Sequence, residues 1–159
     1  MRLLICAGGT GGGVYPALAV HSALTAKVRD LDTLWVGGEG GMEESLVKRQ
    51  GIAFQSIPAA GIHGVGLATM PRNLAMIGRG ILASRRILKE FQPDVLFFTG
   101  GFVAVPMALA GRSISSMLYV PDIEPGMALK SLSGFADTIA VTTSQSQKFF
   151  NKKVLTGFY

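Results

Sequence analysis

The chain opens with Leu3-Leu4-Ile5-Cys6-Ala7, which runs straight into Gly8-Gly9-Thr10-Gly11-Gly12-Gly13 and then Val14-Tyr15-Pro16. A short apolar run that ends in glycine and leads to a helical pattern reads as strand, loop, helix. Glycines let the backbone approach a ligand closely. The helix that follows presents unpaired N–H groups and a partial positive charge at its start. Together these make a place to hold phosphate, with a hydroxyl contact added by Thr10. The bland alternative is a tight strand–helix turn with no ligand. The loop is not a Walker A motif, because no Gly-Lys-Ser/Thr follows. It also fails the dinucleotide fingerprint, because the third glycine would fall at Val14.

The same alternation continues outward from this stretch. Strands are predicted at Leu3–Ala7, Thr33–Val36, Ala53–Ile57, Val95–Thr99, Met117–Val120 and Thr138–Thr142. Helices are predicted at Pro16–Lys27, Met42–Gln50, Met70–Phe91, Val103–Ala110, Gly126–Leu132 and Gln145–Phe149. Repeated strand–helix–strand units require an α/β fold, a parallel sheet with helices on both faces. Ligands in such sheets sit at the carboxyl ends of the strands. Pro16 is expected to open the first helix, where a missing N–H costs nothing. Pro93-Asp94 separates the long helix from the fourth strand. A second glycine loop, Thr99-Gly100-Gly101-Phe102, also lies between a strand and a helix. Paired with the first it suggests two backbone cradles on one sheet edge, suited to a pyrophosphate. A third run, Gly37-Gly38-Glu39-Gly40-Gly41, reads as a flexible connector.

Bulk properties narrow the class. The 159 residues are 48% hydrophobic and 16% charged, enough for one domain with a real core and too apolar for disorder. The net charge of +5 points to an anionic partner: phosphate, nucleic acid or an acidic membrane surface. Cys6 is the single cysteine, so an internal disulfide and a cysteine metal cluster are excluded. Its apolar neighbours mark it as a core residue, and the cytoplasm is the natural compartment. No secretory leader is visible, and no run approaches the ~20 apolar residues needed to span a bilayer. Lys153–Gly157 reads as a strand entering a glycine turn. The expectation is therefore that residues 1–159 form one N-terminal domain, cut before a second.

Several pieces in order resemble the MurG-like glycosyltransferases of family 28. They are Gly8-Gly9-Thr10-Gly11-Gly12 with Pro16-Ala17-Leu18-Ala19, Met42-Glu43, Leu46-Val47, and Gly61, Gly64 and Gly66. Pro93-Asp94-Val95, Gly100-Gly101-Phe102, Pro106, Pro125-Gly126, Lys130 and Thr156-Gly157 continue the pattern across the whole chain. The resemblance implies a Rossmann-like domain that is the N-terminal, acceptor-side half of a two-domain GT-B glycosyltransferase. It implies inverting transfer of N-acetylglucosamine from UDP-GlcNAc to a lipid-linked muramyl-peptide acceptor, on the inner face of the cell membrane, with no cofactor, no active-site metal and no nucleic-acid partner. Donor contacts carry over to Thr10, Gly11, Gly12 and Asp122. Acceptor diphosphate contacts carry over to Gly12, Gly13, Gly100, Gly101 and Phe102. Most of the donor site belongs to the second domain.

The chain departs from that family at three places. Gly13 stands where the first loop normally ends in histidine. Tyr119-Val120-Pro121-Asp122 replaces a His-Glu-Gln-Asn stretch, and Leu129 replaces an asparagine. An inverting transfer needs a proton acceptor for the attacking hydroxyl, and Asp122, Glu124 and His63 are the candidates near strand ends. The other reading for Asp122 is a helix-start acceptor in a solvated turn, and for His63 a solvated loop side chain. On the long helix, Arg72, Arg79 and Arg86 recur every seven residues and line one stripe, with Ile77 and Ile81 on an apolar face. A basic amphipathic helix can lie on an anionic membrane, although any helix packed on a sheet is amphipathic too. Competing functions are a related GT-B transferase with another lipid or glycoside acceptor, a nucleotide-binding module using Glu39 after the second strand, and a native split subunit.

Overall fold

The computed structural model describes residues 1–9, 11–60, 70–151 and 154–157, with only the backbone of Ala128. Seven strands, β1 (Arg2–Ala7), β2 (Asp32–Gly38), β3 (Ala53–Ile57), β4 (Val95–Gly100), β5 (Ser115–Val120), β6 (Thr138–Val141) and β7 (Val154–Thr156), form one sheet in the order β3-β2-β1-β4-β5-β6-β7. Every neighbouring pair is parallel. The helices are α1 (Gly11–Thr25), α2 (Glu43–Arg49), α3 (Met70–Phe91), α4 (Ala104–Ala110) and α5 (Met127–Ser133), and residues Ser144–Phe149 form a 3-10 turn rather than an α-helix.

Strand side chains alternate between faces, so a continuous apolar run feeds two cores at once. Leu3, Ile5 and Ala7 pack with Trp35, Val14, Ala17 and Val47 beneath α1 and α2. Leu4 and Cys6 pack on the opposite side with Leu96, Phe98, Met107, Leu118 and Ile87 beneath α3, α4 and α5. Trp35, fully buried, donates its indole N–H to the Ala7 carbonyl at 2.9 Å. That bond satisfies the ring's polar atom and fixes the end of β1 just before the glycine loop.

Strand order reverses at β1, which pairs with β2 on one side and β4 on the other. Such a switch point opens a crevice beyond the carboxyl ends of the two strands. The β1–β4 register also slips there: Cys6 pairs with Phe98 but Ala7 with Gly100. Thr99 is left as the extra residue, and bulges of this kind re-aim side chains beside functional sites.

Two expectations are corrected. α1 starts at Gly11, so Pro16 lies inside the helix and not at its first position. The glycines count against a helix by propensity, but tertiary contact overrides it: Gly13 and Val14 are buried, and Thr99 Oγ1 donates to the Gly13 carbonyl at 2.8 Å. Pro16 cannot donate to the carbonyl four residues back, which is that of Gly12, at the exposed edge of the crevice. The second correction concerns α3. Ile77, grouped with the membrane-facing side chains, is 8% exposed and sits on the inner face with Gly80, Ser84, Ile87 and Leu88. Gly80 sets this phase: a methyl there would overlap the Pro58 carbonyl oxygen, so this side of α3 is pressed onto the fold. Ile81 is half-buried, while Arg72, Arg79 and Arg86 are exposed beside Leu74 and Leu82.

Candidate functional site

A cavity of about 270 Å³ occupies the switch point. Its first wall is Gly8 with Gly12 and Gly13 of the opening turn of α1. N–H groups in that turn have no partner within the helix and carry the positive end of its dipole. Its second wall is Thr99, Gly100 and Gly101. Both glycines have positive φ, 116° and 85°, a region hostile to side chains. A methyl on Gly101 would overlap the carbonyl oxygen of Gly8, so the two glycine loops meet backbone to backbone.

The third wall is Pro121, Asp122, Gly126 and Leu129, from the segment joining β5 to α5. That segment is pinned from the next strand's end. Thr142 Oγ1 donates to the Pro121 carbonyl at 3.1 Å, and the buried Ser146 Oγ to the Ile123 carbonyl at 2.9 Å. Asp122 between them is exposed and borders the cavity. Its backbone is thereby held while its carboxylate stays in contact with water. Leu129 lies 3.2 Å from where a methyl on Gly100 would be, giving this wall an apolar side.

A smaller cavity of about 170 Å³ is lined by Gly9, the Gly38–Gly41 run, Glu43, Ala59, Phe102 and Val103. Here the fold holds a fully buried carboxylate. Glu43 Oε1 accepts the Gly38 N–H at 2.8 Å and Oε2 the Gly9 N–H at 3.3 Å. A methyl at Gly8 or Gly41 would overlap this carboxylate, and one at Gly37 would come within 2.8 Å of it. The run Gly37–Gly41 is therefore a cradle around a side chain, not the flexible connector expected. Cys6 lies close enough to feel Glu43: burial chiefly, and that charge secondarily, push its thiol well above the ordinary range, so it stays protonated and unreactive.

The structure brings together Gly12, Gly13, Gly100, Gly101 and Asp122 of the predicted site. Gly11 begins α1 but does not line the cavity. Phe102 is 48% exposed and faces the smaller cavity instead. Glu124 is exposed and borders neither. Thr10 and His63 lie outside the described residues. Sequence reasoning missed Glu43 as a site-building group. Its signal was a carboxylate two residues beyond a five-residue run with four glycines, a density of missing side chains that only a packed neighbour explains. Gly126 was read only as a helix start and part of the Pro125-Gly126 match, because nothing but its position marks it as a cavity residue.

Residues 3–141 match the glycosyltransferase family 28 N-terminal domain. The UDP-N-acetylglucosamine–N-acetylmuramyl-(pentapeptide) pyrophosphoryl-undecaprenol N-acetylglucosamine transferases of Desulforudis audaxviator and Geotalea uraniireducens are 39% and 37% identical to it, each over 99% of this chain. The chain spans 43% and 44% of their lengths. The crystal structure of Acinetobacter baumannii MurG superposes with a TM-score of 0.82 at 27% identity, covering 99% of this chain and 46% of that one. The UDP-GlcNAc 2-epimerase of Neisseria meningitidis, bound to UDP-GlcNAc, shares the fold at a TM-score of 0.72 and 13% identity, over 99% of this chain and 46% of that one. By its sequence over nearly its whole length, and by the sheet and glycine loops just described, the chain belongs to glycosyltransferase family 28, in the part that forms the family's N-terminal domain.

Proposed function

We propose that this chain is the acceptor-binding half of an inverting N-acetylglucosaminyltransferase, which moves the sugar from UDP-GlcNAc to a muramyl-peptide carried on undecaprenyl pyrophosphate. The observation that carries this is the switch-point cavity, walled by two glycine loops that touch backbone to backbone. Among the described residues no cationic side chain lines it. N–H groups at the start of α1, aided by the helix dipole, suit a diphosphate there. Its sugar hydroxyl then points out of the cavity toward the donor, which a second domain beyond this chain would hold.

In the transfer, the acceptor oxygen forms a bond to the anomeric carbon as the bond to the UDP oxygen breaks. UDP leaves with the electron pair, and the acceptor's proton must go to a base. Asp122 is our candidate, since it is the carboxylate bordering the cavity, and its backbone is fixed by Thr142 and Ser146. Glu124 and His63 have less support, the first for lying off the cavity and the second for lying outside the described residues.

The acceptor's lipid implies work at a membrane surface. Among the described residues no helix is long and apolar enough to cross one. α3 offers exposed Arg72, Arg79 and Arg85 beside exposed Leu74 and Leu82, the last 65% exposed, which suits peripheral docking on anionic lipid at the inner face. Arg86 is engaged by Glu90 one turn on, at 2.9 Å. A second reading, another lipid-diphosphate acceptor, is favoured by Gly13 and Leu129 lining the cavity in place of polar family residues.

The test is transfer of labelled sugar from UDP-GlcNAc to lipid-linked muramyl-peptide by the protein extended through its second domain. Product that is lost on Gly101→Val supports the reading. A folded protein that binds UDP-GlcNAc yet makes no product shifts the acceptor to another lipid-linked diphosphate.

A further inference from the structure

We infer that Glu43 is a positioning residue for the diphosphate cavity, acting from behind the first glycine loop; this rests on the diphosphate reading above. The carboxylate never borders that cavity, yet it is bonded to the loop that does. It takes the N–H of Gly9 with one oxygen and that of Gly38 with the other, so it ties the loop after β1 to the end of β2. Gly9's donor is thereby turned away from the ligand. The loop divides its labour: Gly9 is anchored inward by its N–H, and Gly12 and Gly13 of the opening turn are left to face an anion.

The anchor reaches the opposite wall through one contact. Gly8, against which the Glu43 carboxylate packs, presents its carbonyl oxygen to Gly101 so closely that no methyl fits between them. Moving Gly8 therefore moves Gly101, and with it the spacing of the two cradles. A buried carboxylate is costly unless every oxygen is satisfied. This one is met by backbone N–H groups from two loops, and glycines at 8, 37 and 41 leave it the room it needs. An apolar side chain here would fill the space but leave both N–H groups without an acceptor. A two-pronged acceptor fixes two loops at a set distance.

The experiment is amide NMR of this chain titrated with inorganic pyrophosphate, for the wild type, Glu43→Gln, Gly41→Ala and Glu44→Gln. Glu43→Gln keeps the shape but can accept only one of the two N–H groups. Gly41→Ala keeps the Glu43 side chain and pushes on its carboxylate from a residue that lines the smaller cavity and not the diphosphate cavity. Both are expected to stay folded, shift the Gly9 or Gly38 amide, and bind pyrophosphate about tenfold more weakly at Gly12, Gly13 and Gly100, the size of one charged hydrogen bond. Glu44→Gln, one residue along and exposed toward Lys48, is expected to bind as the wild type does. Should both Glu43→Gln and Gly41→Ala fold and bind pyrophosphate like the wild type, the inference is overturned. Should the wild type itself bind none, the diphosphate reading fails. Glu43 is then judged by the Gly100 and Gly101 amides, whose shift in Glu43→Gln upholds positioning and whose constancy refutes it.

Discussion

Two groups of glycines stand at the carboxyl edge of this sheet, and they leave space for different occupants. Around the switch point, Gly12, Gly13, Gly100, Gly101 and Gly126 surround an open cavity. Around α2's first residue, Gly8, Gly37 and Gly41 surround a side chain of the protein itself, the carboxylate of Glu43. On the proposed reading the first group is bare so that a ligand can reach the backbone. The second is bare so that the protein can put a charge where a side chain would otherwise sit. A glycine-rich loop is thus not in itself a ligand loop, and substitution separates the two kinds.

The largest effect is expected where backbone meets backbone. Gly101→Ala combines a φ of 85° with overlap on the Gly8 carbonyl, neither of which a rotamer change can relieve. A loss of about 3 kcal/mol is expected in urea unfolding, from the strained dihedral and the forced separation of the loops together. A loss under about 1 kcal/mol would mean that the loops part easily, and the picture of one shared wall would break.

The second effect tests the carboxylate group. The three atoms nearest a methyl at Gly41 all belong to the end of the Glu43 side chain, so for Gly41→Ala overpacking of about 1–3 kcal/mol is expected. In Glu43→Ala those three atoms are gone. The double mutant Gly41→Ala/Glu43→Ala should therefore be more stable than the two single losses added together, by about 0.5–3 kcal/mol. Strict additivity in denaturant melts would show that Gly41 is bare for some other reason.

How much of this was legible beforehand follows the same division. α3 and β3 were read to the residue, because each carries its own punctuation: Pro71 at the start and Pro93 just past the end of a long amphipathic period, Gly51 and Pro58 around a short strand. The sheet and its glycine-lined carboxyl edge were legible because apolar runs and glycine turns alternate in sequence. The beginning of α1 was not, since its helical glycines are held by Thr99, eighty-six positions away. Nor was the phase of α3, which has apolar side chains on more than one stripe. Its inner stripe is chosen by the Pro58 carbonyl and Pro106 against Gly80. The role of Gly37–Gly41 was hidden for a related reason: glycine is silent about what fills the space it leaves.

A smaller effect is expected at Gly40, which has a φ of 71° but nothing within 4 Å of an added methyl. Gly40→Ala should lose about 1 kcal/mol, the cost of the left-handed dihedral alone. It therefore calibrates the conformational part of the Gly101 result and isolates the steric part.

The smallest effect on stability should come from Gly126→Ala, and that is what makes it the sharpest test. Gly126 precedes α5 with a φ of −63°, which any residue adopts, and an added methyl meets nothing within 4 Å. Unfolding free energy should stay within ~0.5 kcal/mol of the wild type. Yet Gly126 borders the switch-point cavity, so the methyl takes up room beside whatever binds there. Stability unchanged with weaker pyrophosphate binding is the signature of a glycine kept for a ligand, the reverse of Gly41, where a stability loss appears with no ligand present. If Gly126→Ala leaves both unchanged, the bound anion lies toward the two glycine loops and away from the α5 side of the cavity. The N–H groups of α1 then become the principal hold on it, and Asp122 on the same wall as Gly126 is freed to face the acceptor hydroxyl.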